Sequence, residues 1–386
     1  MKENTRLHLF NPDCELAIAN GGRHYMPSAN VMRMASDLAF LPAWWAEEGD
    51  WVLVKEPVDE AFGKELGIRV RCVTEEELAG ETANVVGVPW GRSPRMCHWL
   101  AERGMGEEWQ EEWKEWYSRR TARRGLVYLS ERMPLEEKIV PQVCFSLEEI
   151  KRRMADSEGE WLIKAPWSSS GKGQLRGKGA FIPKVQEWIN GVFKKQGYVM
   201  LERYLDKVRD FAMEFQATGK GMEFIGWSFF TTGEHGEYHG NMIAPQSQME
   251  CELVRLIGEE TVQSLKCHLP RMLETLLPDY RGYLGVDMMV YRDSESVLRV
   301  YPCVEINLRF NMGLVALFLS RKYVAEGMVG EFTVSFYNRD GEACEEIGRL
   351  SREYPAVYEN NRIKSGYLSL TPVKESSRFV ASLLCY

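Results

Sequence analysis

The 386-residue chain has no long hydrophobic run. The longest, MGLVALFL at 312–319, is about eight residues, against the roughly 18 needed to cross a membrane. The opening MKENTRLHLF lacks the apolar core of a secretory signal. Nine cysteines occur singly, with no CxxC pair and no Cys/His spacing suited to zinc. Scattered, odd-numbered cysteines fit a reducing compartment and small buried apolar roles. Positive charge is not in excess: the formal net charge is −8, which argues against binding nucleic acid through its phosphates but leaves room for local basic pockets. No internal repeat or low-complexity tract stands out. The expectation is a cytoplasmic protein of two or three domains, with neither membrane nor nucleic acid as partner.

Within that frame, the pattern falls into three blocks. In residues 1–115, the strand-like RLHLF, DWVLV, IRVRCV and ANVVGV alternate with helical stretches. This alternation predicts a parallel sheet covered by helices. Ser28 or Asn30 caps one helix, which Pro42 interrupts, and Ser93 caps another. FNPDCELAIANGGRHY follows the first strand and reads as a polar, Gly-rich loop at a strand C-terminal end, where ligands commonly bind. Asp13, Glu15 and Arg23 are candidate substrate contacts there, beside the plainer reading of an ordinary connection. At 107–124, Trp109, Trp113 and Trp116 share one face of a helix, a stripe that suits packing better than a ligand platform. Residues 116–198 carry a serine-capped helix start at Ser146 and the strand EWLIKAP, with GAFIP as its expected antiparallel partner. Residues 199–386 alternate as strands, interrupted by a helix over about 252–277 and closed by a hairpin of YLSLTPV and RFVASLLCY.

Three stretches look chemical. The first is WLIKAPWSSSGKGQ at 161–174. Lys164 ends a strand as a fixed positive point, and the Ser/Gly loop after it lets backbone N–H groups approach phosphate oxygens. It is not a P-loop: Pro166 stands at the first glycine and Gly173 at the Ser/Thr. It is not GxGxxG either, because Arg176 stands at the third glycine. Alone, it is equally a flexible hairpin tip. The second stretch is CVEINLRFN, which puts Glu305, Asn307 and Arg309 on one face of a strand. That set makes poor core filling, and the Glu and Asn oxygens suit magnesium. Asp287, in the apolar strand GYLGVDMMVY, is a further acid. A tight turn at 292–296 would set it opposite Tyr301, about four residues or roughly 13 Å from Glu305. A shared metal would then require a bulge at Pro302 or a longer turn. The third stretch, VMLERYLDKVRDFAMEF, runs an apolar strand into Glu202, a polar break and a new strand. A chain crossing between two sheets exposes backbone groups able to read an adenine edge. His239 and Asn241 are weaker candidates, beside a plain hairpin-loop reading.

In this order the three stretches resemble the ATP-grasp superfamily, which includes D-alanine–D-alanine ligase, glutathione synthetase and biotin carboxylase; the resemblance covers about 119–313. It implies a mixed α/β and α+β fold. An N-terminal parallel α/β domain (1–115) would precede a small subdomain with a lid loop (116–198) and a large one with a magnesium site (199–386), the two sandwiching ATP. Position by position, Lys164 would contact phosphates, and Ser168, Ser169, Ser170, Gly171, Lys172 and Gly173 would form the lid. Glu202, Arg203 and Leu205 would make the adenine hinge, and Asp210 would hold the ribose. Asp287, Glu305 and Asn307 would bind Mg2+. Arg309 would act with Lys164 as a catalytic residue, near the transferred phosphoryl group or the acceptor carboxylate. The family's other phosphate lysine is replaced here by Arg119 and Arg120, of which Arg120 is the favoured substitute. The implied activity is an ATP- and Mg-dependent ligase that activates a small carboxylate as an acyl phosphate and joins it to an amine or thiol, releasing ADP and phosphate. A homodimer is compatible with the resemblance. A nucleotide-binding regulatory protein and a small-molecule kinase are the alternatives.

Overall fold

The computed structural model describes residues 5–80, 82–136, 139–155, 159–168, 173–179, 181–233 and 236–386. Among these residues no helix is long and apolar enough to cross a membrane.

The N-terminal block contains β1 (Thr5–Leu9), α1 (Cys14–Asn20), α2 (Ala29–Asp37), β2 (Trp51–Leu53), β3 (Arg71–Val73), α3 (Glu75–Leu78), β4 (Val85–Pro89) and α4 (Pro94–Ala101). Its four strands form the expected parallel sheet, in the order β3-β2-β1-β4. Leu7 and Leu9 pack with Val73, Leu78, Val85 and Leu100. The segment after β1 departs from the loop expectation: residues 14–20 are helical and closed by Gly21 in the left-handed region. Ser28 is the N-cap of α2, which ends before Pro42.

The tryptophan segment is not one helix. It splits into α5 (Trp113–Trp116) and α6 (Arg119–Ser130), because Ser118 caps the second by accepting from Arg120 N. The rings of Trp109 and Trp113, then of Trp113 and Trp116, lie 5.6 and 6.3 Å apart and pack on one another.

A small antiparallel sheet follows, made of β5 (Gln142–Cys144), β6 (Glu160–Lys164), β7 (Gln174–Lys178) and β8 (Val199–Arg203) in the order β5-β8-β6-β7, with α7 (Leu147–Ala155) and α8 (Pro183–Gln196). The partner of β6 is therefore the polar 174–178, not GAFIP. As an edge strand, β7 needs no apolar run, and Arg176 and Lys178 are exposed. Two boundaries shift as well. Strand β8 pairs within the small sheet, so the chain leaves that sheet after Arg203 rather than at 198. Helix α6 packs through Ala122, Leu126 and Leu129 into the core of the large sheet.

The large sheet has nine strands: β9 (Asp206–Thr218), β10 (Gly221–Thr232), β11 (Tyr238–Ile243), β12 (Gly282–Arg292), β13 (Leu298–Asn307), β14 (Gly330–Phe336), β15 (Val357–Glu359), β16 (Arg362–Ser369) and β17 (Phe379–Cys385). They run in the order β13-β12-β9-β10-β11-β14-β17-β16-β15. The helices are α9 (Gln246–Ile257), α10 (Glu259–Leu276), α11 (Met312–Lys322) and α12 (Glu342–Glu353). The single helix expected over 252–277 is thus two, divided at Gly258, whose φ of +84° interrupts the helical backbone. The C-terminal hairpin forms as expected. One face of the sheet is apolar: Phe211, Met213, Phe215, Trp227, Phe229, Val286 and Met288 pack with Leu253, Leu265, Leu269 and Met272 of α9 and α10. The residues between them, two apart along each strand, point the other way and carry the candidate site.

The N-terminal block docks at the end of β13. Phe310 N donates to Trp90 O at 2.8 Å, Gly91 bridges Arg309, and the rings of Trp45 and Phe310 stack at 4.5 Å.

Candidate active site at the seam between the two sheets

Strand β6 ends on Lys164, and cross-strand register sets Leu162 opposite Glu202. Lys164 and Glu202 therefore emerge on one face as diagonal neighbours. They pair at 2.7 Å, with side chains only 6% and 7% exposed. Two residues later the chain has changed sheets: β8 stops at Arg203 and β9 starts at Asp206. This is the crossing that the sequence suggested. Arg203 is exposed, and Leu205 packs against the large-sheet core. Asp210 accepts hydrogen bonds from Lys207 Nζ at 2.5 Å and Thr232 Oγ1 at 2.9 Å.

Asp287 faces Glu305 directly across β12 and β13. The turn is longer than the tight one expected, since Arg292 pairs with Leu298, and this removes two residues of the four-residue offset. Met289 pairs with Tyr301, and the register then shifts before Asp287 pairs with Glu305. Residues 302–304 thus oppose Met288 alone, a bulge at Pro302 that brings the two acids level. Asn307 Nδ2 donates to Asp287 Oδ2 at 2.9 Å. Its own Oδ1 accepts from Arg309 Nη2 at 3.0 Å. The Asp287 carboxyl is held well above the usual carboxylate range, first by burial and then by the charges of Glu305 and Glu214. Crowded acids of this kind suit a divalent cation. Among the described residues no three Asp, Glu, His or Cys side chains form a metal cage. Two carboxylates and an amide fit magnesium nonetheless, since magnesium keeps waters and phosphate oxygens in its shell. Asn307 would turn its amide to present oxygen.

Sequence reasoning favoured Arg120 as the second phosphate cation, but Arg119 is the one that lies at the seam. Arg120 faces Glu115 at 3.6 Å and the Tyr198 ring at 5.3 Å, with a side chain 45% exposed. Arg119 instead spans the seam. Its Nε donates to Ala165 O at 3.1 Å and its Nη2 to Ser168 Oγ at 3.2 Å. Nη2 also lies 3.1 Å from Glu305 Oε1. Ser118 sets this direction, because its cap starts α6 at Arg119 and aims residue 119 across the end of β6.

The lid is described only at its ends. Ser168 is buried. Gly173 has φ +77°, and a Cβ there would sit 2.6 Å from Ser168 Cβ. Ser169, Ser170, Gly171 and Lys172 lie outside the described residues. Arg309 pairs with Glu15 from α1, so the N-terminal block does reach the site, through a residue on a helix rather than a loop. Asp13 is buried and meets Arg95 at 3.3 Å, while Arg23 is exposed. Asn241 is internal, donating to Phe229 O and accepting from the Tyr238 hydroxyl at 2.6 Å, and His239 faces solvent.

One buried acid escaped sequence reasoning. Glu214, on β9 and only 1% exposed, accepts from Ser228 Oγ at 2.7 Å and Asn311 Nδ2 at 2.8 Å. Burial pushes its carboxyl up to about 7 against these two hydrogen bonds. The signal was present: FAMEFQ buries an acid in an apolar strand just as GYLGVDMMVY does.

No family model matches the sequence, and no curated protein is similar to it. Solved structures are similar in fold. A biotin carboxylase from Campylobacter jejuni in complex with β,γ-ATP superimposes with a TM-score of 0.54 at 9% identity, covering 100% of this chain and 88% of that one. The biotin carboxylase domain dimer of Hydrogenobacter thermophilus 2-oxoglutarate carboxylase, in complex with MgADP, ADP and bicarbonate, gives 0.53 at 11% identity, covering 100% and 87%. N5-carboxyaminoimidazole synthetase from Staphylococcus aureus gives 0.51 at 11% identity, covering 100% and 94%. The likeness runs over the whole chain, through the N-terminal parallel sheet and both antiparallel sheets: the chain has the ATP-grasp fold.

Proposed function

We propose that the chain is an ATP- and Mg-dependent ligase that activates a carboxylate as an acyl phosphate and joins it to an amine or thiol, releasing ADP and phosphate. One observation carries the reading: Arg119 links the end of the lysine strand to the acid strand, at 3.1 Å from both Ala165 O and Glu305 Oε1. That contact brings Lys164, Glu202, Asp287, Glu305 and Asn307 to one seam. Complexes of similar folds with β,γ-ATP, MgADP and ADP support a nucleotide there.

In this reading, Lys164 and Arg119 neutralise the phosphates, and catalysis is mostly positioning and charge stabilisation. Asp287, Glu305 and Asn307 would hold magnesium, which when bound neutralises phosphate charge. Glu202, Arg203 and Leu205 form the adenine hinge, Asp210 meets the ribose, and Ser168 to Gly173 close as a lid that keeps water from the acyl phosphate. Arg309, fixed by Glu15, orients the acceptor carboxylate or the transferring oxygen. Residues 1–115, which supply Glu15, are assigned to acceptor binding. A homodimer is compatible, as the H. thermophilus domain is a dimer.

A second reading has one observation in its favour. The guanidinium groups of Arg119 and Arg309 occupy oxygens of Glu305 and Asn307, which suits a nucleotide-binding protein that does not turn over. ADP release across a panel of carboxylates and amines separates the two. The ligase releases ADP only with a matched pair and forms an amide. Lys164→Ala and Glu305→Ala should each abolish that release while keeping the native circular dichroism spectrum. Full activity in either variant would overturn the assignment.

A further inference from the structure

A cavity of about 70 Å³ lies away from the seam, between α2, the residues after β2 and the turn joining β16 to β17. In the large sheet β17 stands six strand spacings from β13, roughly 29 Å at about 4.8 Å per strand. Hydrogen bonds and an ion pair hold the walls together. Arg33 Nη1 donates to Ser376 O at 3.1 Å. Asp37 Oδ2 accepts from Arg378 N and Phe379 N at 2.8 and 3.1 Å. Lys374 pairs with Glu56, and Phe40 and Val54, each 4% exposed, are the apolar part of the lining.

Lys55 follows β2 by two residues, at the carboxyl end of a parallel strand, where ligands commonly bind. Its ammonium makes no hydrogen bond or ion pair among the described residues. Both lining carboxylates are already engaged, Asp37 by backbone N–H groups and Glu56 by Lys374. The groups left over can all donate: the Lys55 ammonium, the rest of the Arg33 guanidinium, and the hydroxyls of Ser36 and Ser376. Three cations stand against two acids in the lining. A net-positive, donor-rich wall suits an acceptor-rich anion. The space admits about five waters, which fits a compact ion and not a nucleotide. We propose that this cavity binds a compact oxyanion of two or more negative charges, of the class of inorganic phosphate or a short dicarboxylate, held by Lys55 and Arg33. The anion touches both the N-terminal block and the β16–β17 turn, and so strengthens their docking. Neither Lys164 nor Arg119 takes part.

The test is calorimetric titration of inorganic phosphate and, separately, of succinate into the full chain and three variants, Lys55→Ala, Lys164→Ala and Lys195→Ala. Melting curves are recorded with and without each anion. At least one anion should bind the parent saturably and raise its melting temperature; which of the two does so names the source. Lys55→Ala removes no contact of the free chain, so its melting temperature without anion should match the parent's. It should bind the anion about tenfold more weakly or worse, as expected for a lost charge-assisted hydrogen bond. The Lys55-dependent binding should persist within about twofold in Lys164→Ala and in Lys195→Ala, an exposed lysine on α8. Saturable binding of neither anion overturns the proposal. So does binding that survives Lys55→Ala and is lost in Lys164→Ala, which places the anion at the seam. An equal loss in Lys195→Ala also overturns it, because the effect is then general charge screening.

Discussion

Glu214→Gln should stabilise the protein above neutral pH and do little in mild acid. The Glu214 carboxyl is pushed up from 4.5 to about 7, with burial as the main cause. A carboxyl with a higher pKa folded than unfolded binds its proton more tightly in the native chain. Its stabilising contribution is complete below about pH 4.5 and disappears as pH climbs through about 7. Between pH 5 and pH 8 the native state therefore loses about 2–3 kcal/mol from this one group, since each pKa unit is worth a little over 1 kcal/mol. Spread over the unfolding entropy of a chain this long, that is about 3 °C in melting temperature. Glutamine has the same shape and no charge to desolvate. It can accept from Asn311 Nδ2 and donate to Ser228 Oγ, whose hydroxyl can reverse. Scanning calorimetry at several pH values reads the difference between the two proteins, so titrating groups that do not feel Glu214 cancel, while Asp287, which its charge holds up, shifts the difference in the same direction. The variant should match the parent at pH 5 and melt about 3 °C higher at pH 8. A difference that stays constant across that range, or a variant less stable at pH 8, would refute a buried neutral Glu214.

Other substitutions address the site's geometry. Arg119→Ala should lower ATP turnover by about a hundredfold or more, as removal of a charge-stabilising donor does, whereas Arg120→Ala should stay within about twofold. The reverse order in steady-state ADP release would restore Arg120 as the phosphate cation. Gly313→Ala places a Cβ onto the oxygens of Glu214 and Ser228 and should cost about 1–3 kcal/mol in denaturant unfolding, as overpacking does. A silent Gly313→Ala would mean that the Glu214 pocket is looser than the contacts indicate.

What the sequence made legible were features in which residue type and spacing act locally. The β–α alternation of the first block, the caps at Ser28 and Ser93, and the crossing after Glu202 follow from short-range chemistry. Alternation alone also places Glu305 and Asn307 on one face. What stayed hidden depended on neighbours far along the chain. Strand β7 is a strand because an edge position tolerates polar residues, which composition cannot reveal. The level pairing of Asp287 and Glu305 needed a bulge whose size only the β12–β13 register fixes. The choice between Arg119 and Arg120 turned on a single position, set where the Ser118 cap starts α6. Glu15 was read as part of a loop, but it sits on α1, and its partner Arg309 lies 294 residues away.

The two faces of the large sheet make different physical demands. The face toward α9 and α10 is apolar, as a buried sheet face should be. The opposite face sets Glu305, Asn307, Asp287, Glu214 and Ser228 on four adjacent strands. If stability alone shaped that face, apolar residues would serve better, since buried acids without a cation lose more solvation than hydrogen bonds return. The incomplete return is visible: the Asp287 and Glu214 carboxyls both resist ionisation despite their hydrogen bonds to Asn307, Ser228 and Asn311. Local rules broken at such a cluster mark a functional site rather than a packing error. The negative charge concentrated there needs a positive counterpart. Arg119 and Arg309 supply it, from the first turn of α6 and from the strand end that Glu15 anchors. A metal-bound triphosphate would exchange with Arg119 at Glu305 and free its guanidinium for the phosphates. If the proposed nucleotide binds there, the same side chain would balance the acids before binding and the phosphates after it.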